Sequence, residues 1–406
     1  MKPIFRLLMI SSLSLVGCSS VNPIDNTSSK EDKTSDNSET TSEKDDDTTS
    51  KGGKTIVTST YANPLTFYKQ DGNVYDVSTC DPDVIQGDDG YWYMYCTNCN
   101  VEDLNGNMKF VLGPIFKSPN LIDWTYAGNV FEGNAGASTR GTSGAGVWAP
   151  SVIKVGKKYN YYYSLSSWGD DNPGIGLAVG DSPTGPWTHY KKLIDQKMTG
   201  VRNGIDPQAI YIGEQLYLIW GSFFGIGCIQ LTDDGTEPFY GTTNLKDHVT
   251  YIVENNRGDQ GMDIDVNFEG SYVIEHDGKY FYMGSQGTCL DGARSTYRVK
   301  VGVSDNFFGP YYGSDGKTIT DSEGSYGDLV VGPDENVAGT GHHTIVRDNV
   351  GEYWIIYHGF NIHSDFNSER IAFMDKILWD ENGFPYVKNK CASVGTLLPG
   401  PSVYKV

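Results

Sequence analysis

Beyond its first eighteen residues the sequence has no apolar run long enough to span a bilayer, and no stretch of helical hydrophobic periodicity. The first absence leaves the N-terminus as the only candidate contact with a membrane. The second argues for an all-β fold. Positive charge is scarce: 31 Lys and Arg stand against 51 Asp and Glu, a formal charge of −20. So acidic a surface repels nucleic acid and anionic polymers, which excludes them as partners. Cysteine is scarce too, with seven in 406 residues. Cys96-Thr97-Asn98-Cys99 is a C-x-x-C without a second pair, which argues against structural zinc. Some pairing among Cys80, Cys96, Cys99, Cys228, Cys289 and Cys391 is possible in an exported chain, but their spacing gives no connectivity. What is plentiful is Tyr (27) and Gly (49), together with 8 Trp. That balance suits short strands, tight turns and aromatic surfaces.

One pattern is written five times. It is a polar or small residue, a short apolar strand, a turn at glycine and a second, aromatic-rich strand. The copies begin at Asp81, Ala149, Asp206, Gly270 and His342, and their turn glycines are Gly90, Gly156, Gly213, Gly278 and Gly351. They start about 60 to 70 residues apart, a period that predicts a five-bladed β-propeller over 61–406, with about four strands per blade. The first strand of each blade lines the central axis, so the five starting residues should converge at one end of one channel. Glu269 lies one residue before the fourth. Three carboxylates (Asp81, Asp206 and Glu269) and His342 are thereby expected to meet.

Residues 1–18 carry Lys2 and Arg6, an apolar run and Leu15-Val16-Gly17-Cys18, the pattern of an export signal ending in a lipobox. It implies lipid on Cys18 and an exported protein anchored to the bacterial cell surface or membrane by that lipid alone. Residues 19–58 are acidic and rich in Ser and Thr, too poor in apolar side chains to offset their ordering entropy, and read as a flexible tether.

Several stretches together resemble glycoside hydrolase family 43, and within it the arabinan endo-1,5-α-L-arabinosidases. They are Cys80-Asp81-Pro82, Val147-Trp148-Ala149-Pro150, Asn203-Gly204-Ile205-Asp206-Pro207-Gln208, Trp220-Gly221-Ser222-Phe223, Phe268-Glu269-Gly270-Ser271-Tyr272, Ser295-Thr296-Tyr297-Arg298-Val299, Gly309-Pro310-Tyr311 and Gly339-Thr340-Gly341-His342. The resemblance implies inverting cleavage of α-1,5-linked L-arabinan, with Asp81 as general base, Asp206 as pKa modulator and Glu269 as general acid. It implies a single ion, usually calcium, held in the channel by His342. The implied partner is plant cell-wall arabinan or arabinose-containing oligosaccharides, bound by a monomer. An exo-acting α-L-arabinofuranosidase or β-xylosidase of the same family is the alternative, and a non-catalytic carbohydrate-binding lipoprotein the remote one. The chain departs from the arabinanase pattern at Cys80, where His is common, at Gly270-Ser271, where Ala-Pro is typical, and at Thr340 and His343, where Pro and Asn are frequent.

The residue types suit this chemistry. Inversion needs an acid on the leaving oxygen and, opposite it, a base for water, with carboxyls about 6.5–9.5 Å apart. A third carboxylate keeps the acid protonated by repulsion. Asp83, two residues past Asp81, should face the same way in a regular strand. Strand alternation should turn only one of His342 and His343 to the channel, and His342 holds the register. His358 reads as structural. Trp148, Phe223 and the loop residue Trp168 are candidate sugar contacts, with Trp148 beside the space left by Ala149.

Overall fold

The computed structural model describes residues 50–51, 54–132, 144–255 and 262–406. Each of the five sequence copies forms the two inner strands of one antiparallel blade. Blade 1 contains Asp83–Gln86, Trp92–Tyr95, Met108–Ser118 and Asp123–Phe131, and blade 2 contains Gly146–Val155, Lys158–Ser166, Gly174–Gly180 and Trp187–Asp195. Blade 3 contains Gln208–Ile212, Gln215–Trp220, Ile226–Gln230 and Thr250–Val253. Blade 4 contains Glu269–His276, Lys279–Gln286, Arg298–Ser304 and Asp328–Val331, and blade 5 contains Val337–Arg347, Tyr353–Asn361, Ile371–Trp379 and Pro385–Val387. The turn glycines Gly90, Gly156, Gly213, Gly278 and Gly351 all have φ between 60° and 98°, a region other residues rarely adopt.

The second strands read as near-continuous runs of large side chains because a propeller blade is covered on both faces. Alternate residues feed neighbouring cores. Tyr93 and Tyr95 pack between blades 1 and 2, whereas Trp92 and Met94 pack between blades 1 and 5. Tyr161 and Tyr163 face blade 1 and Tyr162 faces blade 3. Ile219 and Tyr282 meet between blades 3 and 4, and Phe281 and Tyr357 meet between blades 4 and 5. The apolar interior is thus five slabs, one per blade junction.

Among the described residues no N-terminal strand joins the last blade to close the ring. Thr66–Tyr68 runs parallel to the outer strand of blade 1, while Asn63 and Leu65 bond the third strand of blade 5. Asn63 Nδ2 donates to Met374 O (2.8 Å), and Met374 N–H donates to Asn63 Oδ1 (2.9 Å). Lys54–Tyr61 pairs with the C-terminal strand Leu398–Tyr404 over the same junction. The ordered domain therefore begins before Tyr61. Residues 54–58, read as the end of the tether, are in that strand because Ile56 is buried and Val57 packs on the junction core. Cys18 and residues 19–49 lie outside the described residues. No helix among the described residues is long and apolar enough to cross a membrane. Cys80, Cys96, Cys99, Cys228, Cys289 and Cys391 are all free thiols, so none of the pairings left open by the sequence forms.

Asn63→Ala would leave the N–H and C=O of Met374 buried and unsatisfied. The expected cost is about 2–3 kcal/mol, a fall of several degrees in melting temperature, with turnover per folded molecule unchanged. An unchanged melting curve by calorimetry would show that closure does not depend on this clasp.

Candidate active site

The five starting residues share one backbone conformation. Asp81, Ala149, Asp206, Gly270 and His342 have φ of 55°, 40°, 60°, 55° and 44°, left-handed values that only glycine adopts freely. In blades 2, 4 and 5 the ladder register slips here: Ser164 pairs with Trp148 but Tyr162 with Ser151, and Gly341 pairs with His358 but His343 with Tyr357. These are bulges, which break side-chain alternation and re-aim a residue at a sheet end. A polar group from the preceding blade secures most of them. Ala149 N–H donates to Thr97 Oγ1 (2.8 Å), Asp206 N–H to Ser164 Oγ (2.8 Å), His342 N–H to Ser285 Oγ (2.9 Å) and Asp81 N–H to His358 Nδ1 (3.1 Å). In blade 4 the Gly270 N–H instead donates to Asp206 Oδ2 at 3.2 Å.

The kink overturns the expectation that Asp83 points with Asp81. The regular strand begins only at Asp83, whose carboxylate accepts Val152 N–H of blade 2 (2.6 Å) and the Thr344 hydroxyl of blade 5 (3.0 Å). It belongs to a second ring further along the channel. There Ser151 accepts Ala209 N–H (3.1 Å), Gln208 makes two bonds to Val273 (2.7 and 3.0 Å), and Tyr272 donates to Ile345 O (3.3 Å). His342 and His343 also both line the channel, because φ of 44° at His342 cancels their alternation.

Asp81 is buried among donors. Thr97 donates to its Oδ2 (2.5 Å), and Arg370 Nη1 donates to its Oδ1 (3.2 Å). His342 Nδ1 lies 3.4 Å from the same oxygen. Burial would raise the Asp81 carboxyl, but the Arg370 charge outweighs it and holds the group well below the usual carboxylate range. His358, expected to be structural only, packs here as well. Its Nδ1 accepts the Asp81 amide and so carries no proton, which makes its 3.2 Å approach to Asp81 Oδ1 no ion pair. Burial pushes His358 down to about 4, in keeping with a neutral ring.

Glu269 has a different shell. Tyr297 donates to Oε1 and Ser222 to Oε2, each at 2.7 Å. Burial pushes its pKa up to about 7 against those two bonds, with the Asp81 charge adding to the rise. Asp206 is pushed well above its ordinary value by burial and by repulsion from Glu269 and Asp81. The site thus combines a carboxylate that stays ionised with a pair that retains a proton at neutral pH. That is the combination acid–base catalysis needs.

The structure brings together Asp81, Asp206, Glu269 and His342, as the register predicts. Arg370, Tyr297, Ser222 and Thr97 were not singled out. Tyr297 and Ser222 stand inside stretches that carried the family resemblance, whereas Arg370 immediately precedes the third strand of blade 5 and has no counterpart in the repeat. The departure at Gly270, and the glycine retained at Gly341 in blade 5, have steric reasons. A side chain at Gly270 would meet His342 Cγ at 3.0 Å, and a Cβ at Gly341 would collide with the Tyr297 ring that reaches Glu269. Of the aromatics, Trp168 is 82% exposed and leans on the half-buried Trp148, ring centroids 5.8 Å apart. Phe223 is buried, its N–H bonded to Phe268 O (2.8 Å), so it belongs to the floor beside Ser222 and forms no open platform.

The family described as "Glycosyl hydrolases family 43" matches residues 73–385. A probable arabinan endo-1,5-α-L-arabinosidase A of Aspergillus flavus is 29% identical over 289 residues, covering 68% of this chain and 81% of that protein. An extracellular exo-α-(1→5)-L-arabinofuranosidase of Cellvibrio japonicus is 23% identical over 314 residues, covering 74% and 83%. Among solved structures, the exo-1,5-α-L-arabinanase from a bovine ruminal metagenomic library superposes with a TM-score of 0.63 at 24% identity, over 77% of this chain and 98% of that one, a likeness of fold. The family match runs from just before Asp81 to past Arg370 and so spans the whole kinked ring and its buried carboxyls: the chain belongs to glycosyl hydrolase family 43.

Proposed function

We propose that this protein hydrolyses the α-1,5 linkages of L-arabinan with inversion, acting within the chain. The observation that carries the division of labour is the position of Arg370, whose guanidinium bonds Asp81 while Glu269 receives only hydroxyl donors. Asp81 is the general base. It takes a proton from water as that water's oxygen bonds to the anomeric carbon. The bond from that carbon to the glycosidic oxygen breaks, and Glu269 gives its proton to the departing oxygen. Asp206 is the pKa modulator: burial and the Glu269 charge raise it, so this carboxyl pair retains a proton, and Asp206 also accepts the Gly270 N–H. Trp148 and Trp168 offer a stacking surface for the sugar, and Phe223 closes the floor. The relatives named for arabinan cleavage support this substrate, and the exo-acting ones among them keep terminal cleavage as the second reading. Relatives described as extracellular support export, and lipid on Cys18 is our reading of its anchor. The protein meets plant cell-wall arabinan as a monomer. Product analysis on linear arabinan tests the reading: internal cleavage gives a ladder of oligosaccharides whose new anomeric centre is inverted, whereas release of arabinose alone would favour the exo form.

The pKa directions fix the pH profile. Glu269 is raised to about 7, so its acid form is present below that pH and is lost as pH rises through it. Asp81 is held low, so the base remains ionised well into the acid range. The value of kcat/KM should be level in mild acid and fall on the alkaline side of about 7. Glu269→Gln should abolish that limb and cut turnover about 10²–10⁴-fold. An aryl glycoside with a good leaving group should rescue this variant and not Asp81→Ala. Equal rescue of both would reverse or remove the assignments.

A calcium ion in the channel belongs to the same proposal. Among the described residues no three His, Cys, Asp or Glu side chains gather to ligate a metal, so protein ligands alone do not make a site. His342 is the candidate ligand: burial keeps its ring neutral, and beside His343 it lines a cavity of about 10 Å³, room for about one water-sized group. His343 is buried with neither ring nitrogen hydrogen-bonded, and an ion would bring the waters those atoms lack. His342 would hold the ion, whose charge would add to the field on the carboxylates. Chelation should lower the melting temperature and release metal detectable by elemental analysis, and His342→Ala should melt low and not respond to chelator. A metal-free protein with an unchanged melting curve would end the assignment.

A further inference from the structure

Between blades 3 and 4 lies a cavity of about 350 Å³ that the catalytic chemistry does not use. One wall is the end of the outer strand of blade 3 with the residue that follows it, Tyr251 to Glu254, and the other is the segment after the third strand of blade 4, with Phe308, Thr318 and Thr320. Its size is that of an ordinary small-molecule site. An aromatic stands on each wall, Tyr251 at 41% and Phe308 at 39% exposed. Neither ring is loose. Tyr251 lies against Gly225, where an added Cβ would meet its ring at 3.1 Å, and Phe308 packs on Phe307 and Tyr217 with centroids 4.9 and 5.7 Å away. Hydrogen-bonding groups stand between them: the Thr318 and Thr320 hydroxyls, 3.3 Å apart, and the exposed Glu254 carboxylate.

We propose that this cavity is a second, non-catalytic site for a neutral oligosaccharide, a stretch of the polymer that the enzyme cuts. Two fixed aromatic faces suit the C–H faces of sugar rings, and hydroxyls and a carboxylate suit sugar hydroxyls. Among the described residues no Lys or Arg lines the cavity, and the chain carries a charge of −20, which favours a neutral ligand over an anionic one. Gly225 ends the turn whose Ser222 donates to Glu269, and the ring of Tyr251 rests on that glycine. A polymer held here stays tethered to the enzyme, which raises effective affinity for long chains without touching the bond-breaking step.

The substrate identity rests on the arabinan reading above, and the test separates the two. In native gels containing linear 1,5-α-arabinan, full-length protein should be retarded, and Tyr251→Ala with Phe308→Ala should lose about three- to tenfold in apparent affinity. The same double variant should lose a similar factor in kcat/KM on that polymer while keeping wild-type turnover of an aryl α-L-arabinofuranoside, which also reports correct folding. Tyr251→Trp should retain retardation. If the wild-type protein cleaves xylan and not arabinan, the substrate reading fails, and the same gels with xylan then decide the cavity. The proposal is overturned if the double variant is retarded like wild type by the polymer that the enzyme cleaves, or if polymer and aryl activities fall together.

Discussion

The active site depends on one backbone constraint, a left-handed residue at the start of every blade. A strand of L-residues would send successive side chains to opposite faces and waste half of them on the blade interior. A single positive φ at Asp81, Asp206 and His342 turns those side chains to the channel mouth before the regular strand begins. The strain of such a conformation, of order 1–3 kcal/mol for a non-glycine residue, has to be held by its surroundings. The surroundings are visible: Thr97, Ser164, Ser285 and His358 each accept the amide of the kinked residue in the next blade. The geometry of the site is therefore a property of blade–blade contacts, and Asp81 and Asp206 are each placed by a neighbour that has no charge.

Electrostatics then divides carboxyls of the same kind into different roles. All three are buried, so desolvation raises all three. What separates them is the single close contact with Arg370, which reverses the effect at Asp81 alone. Hydroxyl donors at Glu269 lower its pKa only enough to bring it near neutrality. Had the guanidinium stood on Glu269, that carboxyl would be the one held ionised. The balance is local because, in a buried site, a charge within hydrogen-bonding distance dominates more distant ones.

The interior of the ring is built for polar contact. Asp83, Ser151, Gln208 and Tyr272 each reach the backbone of the next blade, and Thr344 returns the ring to Asp83. These bonds set the rotation of each blade against its neighbour, whereas the five apolar slabs supply most of the burial. His343 is the exception, with two nitrogens that no described group satisfies, which makes the channel floor the place where a bound ion or water has most to contribute.

Much of this was legible in the linear chain because the information is periodic. The five hairpins announce themselves by a recurring apolar pair and a turn glycine, and a period of this length has one common architecture. Alignment of the copies also brings Asp81, Asp206, Glu269 and His342 together, since equivalent positions in a ring must converge. Whatever is not periodic was hidden. Arg370 has no equivalent in other blades, and its contact spans 289 positions. The shared positive φ could not be read from five starting residues of which only one is glycine, and with it went the orientation of Asp83, of His343 and of His358. The closure by Asn63 on Met374 likewise rests on residues 311 apart with no pattern between them. The sequence by itself determined the repeat, the blade number and the convergence of the carboxylates, because each is a consequence of counting. Only the tertiary structure decided which carboxylate is ionised and which keeps its proton, because that depends on which non-repeating side chain packs within about 3 Å of each.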